Sequence, residues 1–245
     1  MLNRILSCAL AAGLVVGLLA TALQLVLVSP LIMKAETYET AAPVTPHGHD
    51  HGAGAETHDH GDGWAPRDGA ERAAYTALAT VAATIGFGLM LVAAATLIAP
   101  QGLTVRSGVA FGVAGFAATG LATSLGLAPE LPGAAAADLL GRQIWWVTTA
   151  AATAAGIALI AYGRPALKAL GVALVVAPQV VGAPEAAAPA SAAPAELAAA
   201  FAAHALVVQA LTWVMLGAAC GYAWERLGRV SAPGRTAEAG APLTI

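Results

Sequence analysis

The chain has 245 residues, of which 58% are hydrophobic and only 10% are charged, and its mean hydropathy is +0.74. Soluble domains carry about 25% charged residues, so this composition excludes an ordinary soluble protein and indicates one that lies in a lipid bilayer. A formal charge of −3 without a basic patch excludes a nucleic-acid-binding surface. We expect the two cysteines, Cys8 and Cys220, to pack as small side chains in apolar runs rather than form a disulfide.

Long apolar runs predict an all-α fold, a polytopic transmembrane helical bundle with five to six spans and a His-rich extracytoplasmic loop. About 20 apolar residues at 1.5 Å per residue cross a hydrocarbon core of about 30 Å. The expected spans are residues 5–29, 75–99, 105–127, 144–162, 169–182 and 197–224. The fifth is short and also fits a re-entrant segment. The chain therefore divides into a first helix (1–30), a His-rich loop (31–73), helices two to five (74–182), an Ala/Pro linker (183–196), a last helix (197–225) and a polar cytoplasmic tail (226–245).

Small and polar residues in the first three spans are candidates for contacts between helices. Gly13 and Gly17, and again Gly108 and Gly112, have the four-residue interval at which membrane helices pack closely, although this signal is weak in a chain rich in Ala and Gly. Gln24 is a strongly polar side chain in the first span. We expect it to hydrogen-bond a neighbouring helix, and a position facing a pore is the alternative.

The later spans carry two further predictions. Asp138 and Arg142 are four residues apart, so on a helix they are able to form an ion pair. Pro178 interrupts the short fifth run, and a break there would expose backbone carbonyls beside Gln179, as in the binding sites of many transporters.

Residues 47–60 hold five of the six histidines of the chain, interleaved with carboxylates. Neutral imidazole is the commonest protein ligand for transition metals, and carboxylate oxygens complete such shells. Neighbouring glycines and prolines disfavour a helix, and in an extended chain residues two apart point to one side. The predicted metal ligands are His47, His49, Asp50, His51, His58, Asp59 and His60, and Glu36, Glu39 and Glu71 either extend this shell or are solvated charges. The alternative is a solvated low-complexity spacer between membrane segments.

This ligand set favours a divalent transition metal over magnesium or calcium, but it does not distinguish Co²⁺ from Ni²⁺ or Zn²⁺. Free histidine titrates near pH 6.5, so capture should weaken as protons compete with the metal in acid.

A route across the membrane requires polar groups inside the bundle, and three side chains are candidates for a transmembrane relay: His204, Gln179 and Gln209. For His204 the alternative is a hydrogen bond to a neighbouring helix. The sequence contains no P-loop, no His-Glu-x-x-His helix and no Gly-x-Ser-x-Gly elbow. We therefore expect a protein that is not an enzyme.

Lysine and arginine near the ends of the spans predict the orientation. With six spans and the amino terminus inside, seven basic residues lie on the inner side and four on the outer side, the inner ones being Arg4, Arg106, Arg164, Lys168, Arg226, Arg229 and Arg235, and the outer ones Lys34, Arg67, Arg72 and Arg142. The His-rich loop is then extracytoplasmic.

Several motifs are distributed along the chain: Ser-Pro-Leu-Ile at 29–32, Ala-Glu-Thr-Tyr-Glu at 35–39, the His-rich loop, Trp-Ala-Pro-Arg-Asp-Gly at 64–69 with Arg72, Leu-Ala-Pro-Glu-Leu-Pro-Gly at 127–133, Arg-Gln-Ile-Trp-Trp at 142–146 and Gly-Ala-Pro at 182–184. Together they resemble the CbtA family of predicted cobalt transporter subunits of bacteria, and the similarity covers most of the chain. Two positions depart from that family: Gln179 stands where its members often have histidine, and His204 is unusual.

The resemblance implies a multi-pass protein of the bacterial inner membrane that takes up Co²⁺, is linked to vitamin B12 metabolism and works with a small single-span CbtB-like subunit. It places the loop in the periplasm. Two alternatives from other classes remain open. One is a membrane-anchored metal buffer or sensor that does not transport, and the other is an assembly subunit whose His-rich loop is incidental.

Overall fold

The computed structural model describes residues 1–41, 66–98, 102–186 and 193–230. These ranges are helical and contain no strand, which confirms the all-α prediction. The helices are α1 (Leu2–Leu27), α2 (Ser29–Ala41), α3 (Ala70–Ile98), α4 (Val105–Phe116), a π-helical turn (Ala117–Leu121), α5 (Ala122–Ser124), α6 (Leu139–Tyr162), α7 (Pro165–Val181) and α8 (Ala195–Val230). The predicted metal ligands of the His-rich loop lie outside the described residues.

Among the described residues, five helical segments are long and apolar enough to cross a membrane: α1 with α2, α3, α4 with the π-helical turn and α5, α6, and α8. The remaining apolar helix, α7, has 17 residues, which at 1.5 Å per residue make about 26 Å. Residues 31–41, expected in the loop, are helical. Pro30 lies in the first turn of α2, where its missing N–H costs no hydrogen bond.

Glycines allow the backbones of two helix pairs to approach closely. A Cβ at Gly13 or Gly17 of α1 would meet the backbone of α3, and one at Gly108 or Gly112 of α4 would meet the backbone of α8. The four-residue glycine intervals are therefore confirmed as packing signals. Dispersion contacts between such backbones stabilise helix pairs where lipid supplies no hydrophobic driving force.

The bundle has two ends, which we call the Arg4 end and the Leu131 end. At the Arg4 end, the guanidinium of Arg4 lies 4.0 Å from the ring centroid of Trp224, in the last turns of α8. At the Leu131 end, Val28, Ala35 and Leu197 pack in one buried cluster with Leu131. The segment that carries the histidines connects α2 to α3, and it therefore leaves and rejoins the bundle at the Leu131 end.

Polar contacts confirm two of the predictions. The Thr80 hydroxyl donates to the Gln24 side-chain oxygen at 3.1 Å, so Gln24 bonds a neighbouring helix. Cys8 and Cys220 are buried and free, and the Cys8 thiol lies 3.1 Å from the Cys220 carbonyl oxygen.

Two other predictions are wrong. Asp138 does not pair with Arg142, because it caps the amino terminus of α6 by accepting the Gly141 N–H at 2.9 Å. Its carboxylate satisfies a backbone donor that the first turn of a helix leaves free. Pro178 does not interrupt the fifth run, since α7 continues to Val181 and ends at Gly182 with φ +81°. A proline removes one helical hydrogen bond, and α7 continues for three residues beyond it.

Candidate functional site

A cavity of about 730 Å³ opens at the Leu131 end. Its walls are the π-helical turn, the loop between α5 and α6, the start of α6 and the middle of α8. Polar groups lie on all of these walls, namely Thr119, Thr123, Ser124, Glu130, Arg142, Gln143 and Gln209, and apolar side chains such as Leu131, Trp146 and Leu206 complete the lining. The cavity therefore combines an apolar frame with a few converging polar groups, as ligand sites do.

Glu130 and Arg142 provide the charged groups of the cavity wall. An Arg142 guanidinium nitrogen lies 3.2 Å from a Glu130 carboxylate oxygen, and both side chains are partly exposed. Such a pair stabilises a fold by less than about 1 kcal/mol, so it can open at little cost. A divalent cation that reached Glu130 would compete with Arg142 for its carboxylate.

The inner wall of the cavity is the π-helical turn, which connects α4 to α5. We call α4, this turn and α5 together the α4–α5 rod. The Ala122 N–H donates to the Ala117 carbonyl, five residues back, and so the turn holds one residue more than a regular helix. The extra residue keeps glycines toward α8. Gly115 of α4 and Gly120 of the π-helical turn are five residues apart, yet a Cβ at either would meet side chains of α8 that are four residues apart, Trp213 and Gln209. Such turns are rare in helices and often occur at functional sites.

Two of the three predicted relay residues meet this turn. Gln179 reaches across from α7, and its Nε2 donates to the Ala122 carbonyl at 3.0 Å. Gln209 approaches from α8, where its Oε1 lies so close to Gly120 that a Cβ there would be 2.8 Å away. The structure thus brings side chains that are 30 residues apart in sequence to one helical irregularity.

His204 lies elsewhere. Its side chain is exposed, and Nδ1 is 2.7 Å from the Ala200 carbonyl of its own helix. It therefore bonds neither a neighbouring helix nor the π-helical turn. With a rise of 1.5 Å per residue it lies about 7.5 Å from Gln209 along α8, toward the Leu131 end.

Arg72 joins the two helices that carry the His-rich loop. Its guanidinium donates to both carboxylate oxygens of Glu36 on α2, and to Asp68 at 3.0 Å. Arg67 pairs with Glu71 at 2.8 Å. Glu36 and Glu71 are thus ion-paired with arginines, and the described part of the chain contains no group of three His, Cys, Asp or Glu residues arranged to hold a metal.

Sequence reasoning missed the π-helical turn and the cavity. The signals for the cavity were Glu130 and Gln143, which were noted only as parts of family motifs. No periodicity in residues 105–124 distinguishes a π-helical turn from a regular helix, because one inserted residue changes the apolar pattern of a uniformly apolar span very little.

A family model described as "probable cobalt transporter subunit (CbtA)" matches residues 2–225. The chain belongs to the CbtA family. The match covers all of the described helices except the last residues of α8, and it confirms the resemblance that the motifs indicated. Searches of curated proteins and of solved structures returned no match.

Membership of the CbtA family agrees with the composition and the fold. A transporter subunit with five apolar helices long enough to cross a membrane is a multi-pass membrane protein, and the family's role implies that it is not an enzyme. The family description names cobalt, so Co²⁺ is the ion that the family is held to transport, and the word subunit implies a partner.

Proposed function

We propose that this CbtA-family chain takes up Co²⁺ by capturing it at the His-rich loop and passing it into the cavity at the Leu131 end. The observation that carries the proposal is the position of the cavity. Ala35 of α2, which leads into the loop, packs in one cluster with Leu131, which lines the cavity. An ion released from the loop would therefore reach the cavity over a short path.

The chemistry of the two places is complementary. Imidazoles of His47, His49, His51, His58 and His60, with the carboxylates of Asp50 and Asp59, suit a borderline divalent metal. The cavity instead offers hydroxyl, amide and carboxylate oxygens, which bind such a metal less tightly. Strong capture followed by weaker binding favours release inward, because a site that holds its ion too tightly cannot pass it on.

Glu130 and Arg142 would act as the first step of transfer. Arriving Co²⁺ pairs with the Glu130 carboxylate and displaces Arg142, which leaves the ion next to Gln143 and the threonines of the α4–α5 rod. Gln209 and the π-helical turn lie at the inner wall, where the ion would continue along α8. His204 lies outside this path, and Gln179 supports the end of the turn through its bond to Ala122.

Three further parts of the proposal rest on the family resemblance. They are the bacterial inner membrane with the loop in the periplasm, a small single-span CbtB-like partner, and a link to vitamin B12 metabolism. The orientation has independent support, since six of the described basic residues lie toward the Arg4 end and four toward the Leu131 end, the former being Arg4, Arg106, Arg164, Lys168, Arg226 and Arg229.

Radioactive cobalt uptake into sealed vesicles that contain the purified chain, with and without the small partner, tests the proposal. We expect accumulation above that of empty vesicles and resistance to competition by Ni²⁺ and Zn²⁺. Binding without accumulation, even with the partner, would establish a metal buffer or sensor instead. Accumulation that Ni²⁺ or Zn²⁺ abolishes at equal concentration would reassign the metal.

A loop variant separates capture from passage. Replacing residues 47–60 by a Gly/Ser segment of equal length keeps the connection between α2 and α3. We expect it to raise the cobalt concentration for half-maximal uptake and to leave uptake at saturating cobalt unchanged. Equal uptake by the parent and the variant at limiting cobalt would remove the loop from the mechanism and favour an assembly subunit.

A further inference from the structure

Two threonine hydroxyls on α6 are buried without a hydrogen-bond partner. Thr149 is 0% exposed and Thr153 is 2% exposed, and neither Oγ1 has a donor or acceptor within reach. The other threonine side chains that the structure describes all have a partner, most often a carbonyl of their own helix. The Nε1 of Trp145, one turn earlier on α6, is buried and unpaired as well. Buried polar groups are nearly always paired, so these atoms call for an explanation such as a bound water or ion.

The two hydroxyls lie on the face of α6 that meets α5 and α7. Positions 145, 149, 153 and 156 fall within an arc of about 80° at 100° per residue. At one end of this face the Trp145 ring lies against Gly126, which also faces Ala183, and at the other end Gly156 lies against α7. Thr149 and Thr153 are between these contacts, and the register of the antiparallel helices sets Thr149 level with Gln179.

Gln179 brings a third oxygen-bearing group to the same level. Its Nε2 donates to the Ala122 carbonyl at 3.0 Å, and the oxygen of the same amide is Oε1. Ala122 ends the π-helical turn, where the normal register of carbonyls and N–H groups is displaced. Discontinuous helices of this kind supply carbonyl oxygens to coupling ions in several transporters.

The two hydroxyls and the Gln179 Oε1 are uncharged oxygen ligands, and their chemistry favours a hard cation. Oxygen donors suit hard cations, whereas cobalt favours imidazole. A divalent ion would need carboxylates to balance its charge, yet the sequence has no Asp or Glu between residues 72 and 129 or between 139 and 184. The same gap leaves these helices without a carboxylate that could carry a proton.

We propose that Thr149, Thr153 and the Gln179 amide, beside the carbonyls of the π-helical turn, form a binding site for Na⁺. The site rests on the two unpaired hydroxyls, on the register of α6 and α7 and on the hydrogen bond from Gln179 to Ala122, and it does not depend on the proposed function. Its role as the site of a coupling ion for cobalt uptake rests on the proposed function.

Thermal unfolding of the purified full-length chain tests the site, with NaCl compared with KCl and choline chloride at equal ionic strength. A ligand that binds only the folded state raises the unfolding midpoint with its concentration. We expect a rise specific to Na⁺ in the parent. Thr149→Val and Thr153→Val keep the side-chain shape and should raise the half-saturating sodium concentration by at least about tenfold.

Thr148→Val is the matched control, because Thr148 is the next residue, is exposed, and donates to the carbonyl of Ile144 in its own helix at 2.7 Å. It should respond to Na⁺ as the parent does. In choline, Thr149→Val should unfold at the parent's temperature or higher, because a methyl group replaces an unpaired hydroxyl. A lower midpoint in choline without any sodium response would indicate a structural hydrogen bond or water and would overturn the proposal.

Cobalt uptake with and without a sodium gradient separates this inference from the proposed function. A sodium-specific rise in midpoint without cobalt accumulation would contradict the proposed function and leave the Na⁺ site standing. Cobalt accumulation that is equal in NaCl and choline chloride, with no sodium-specific rise, would contradict the Na⁺ site alone.

Discussion

The side-chain amide of Gln179 donates to the backbone carbonyl of Ala122, 57 residues earlier, at a distance of 3.0 Å. The bond crosses from α7 to the end of the π-helical turn. Ala122 lies in the last helical turn of the α4–α5 rod, where carbonyls lack partners within the helix. Gln179 thus supplies a donor that the irregular end of this rod requires, and it holds α7 against the rest of the bundle.

Replacing this donor should destabilise the chain. Gln179→Met keeps the length of the side chain but leaves the Ala122 carbonyl unpaired, and Gln179→Glu sets a carboxylate against it. We expect a loss of about 1 to 3 kcal/mol in the free energy of unfolding, larger for Glu than for Met. Tryptophan fluorescence during thermal unfolding measures it. A Met variant as stable as the parent would show that the bond contributes nothing.

The close approach of α4 and α8 depends on Gly112. A Cβ there would meet the Trp213 backbone, so we expect Gly112→Ala to cost about 1 to 3 kcal/mol of stability. Gly86 in α3 is the matched control, since nothing lies within 4 Å of its added Cβ. Gly86→Ala should be neutral or slightly stabilising, because alanine is the better helix former. Equal unfolding temperatures of the two variants would contradict the packing.

Arg72 should hold α2 against α3, whereas Arg67 should not. The Arg67 side chain is 91% exposed and pairs with Glu71, four residues later, while Arg72 bonds Glu36 on the other helix. A partly exposed ion pair contributes about 1 kcal/mol at most, which corresponds to a factor of about five in an equilibrium constant. We expect Arg72→Gln to speed amide hydrogen exchange in α2 by up to about fivefold. An unchanged rate of amide exchange in α2 for Arg72→Gln would contradict a role for the Arg72–Glu36 pair. An equal acceleration for Arg67→Gln would contradict it as well.

Single cysteines at loop positions test whether α7 crosses the membrane. The helix runs antiparallel to α6 and returns the chain to the Leu131 end, where Ala183 lies near Gly126. A membrane-impermeant maleimide should therefore label Ala135→Cys and Glu185→Cys from one side and Ala166→Cys from the other. The parent chain is the control, because Cys8 and Cys220 are buried. Labelling of positions 166 and 185 from the same side would make α7 a re-entrant segment.

Metal capture by the His-rich loop should weaken in acid. Histidine must be neutral to bind a metal, and its ordinary pKa is about 6.5, so protons compete increasingly as the pH falls through that value. We expect tight Co²⁺ binding at about pH 7.5 and loss of most of it at about pH 5.5, measured by isothermal titration. A variant with the five loop histidines changed to Gln is the control. Binding isotherms that coincide at the two pH values would contradict histidine ligation.

The sequence by itself determined the membrane class, the approximate spans, the close-packing glycines and the family. These features are local, because an apolar run of sufficient length has few other stable environments, and a glycine interval of four residues always shares one helical face. It also singled out Gln179 and Gln209 as polar side chains in apolar helices, although nothing in their positions indicated that they meet.

Only the tertiary structure decided which groups are partners. Arg142 is four residues from Asp138, yet it pairs with Glu130, because Asp138 is closer to the free N–H groups that begin α6. The π-helical turn, the cavity beside it and the unpaired hydroxyls of Thr149 and Thr153 likewise depend on how three or four helices are placed around one another. Sequence periodicity describes one helix at a time, whereas hydrogen bonds and cavities depend on distances between helices, and those distances are set only when the whole bundle packs.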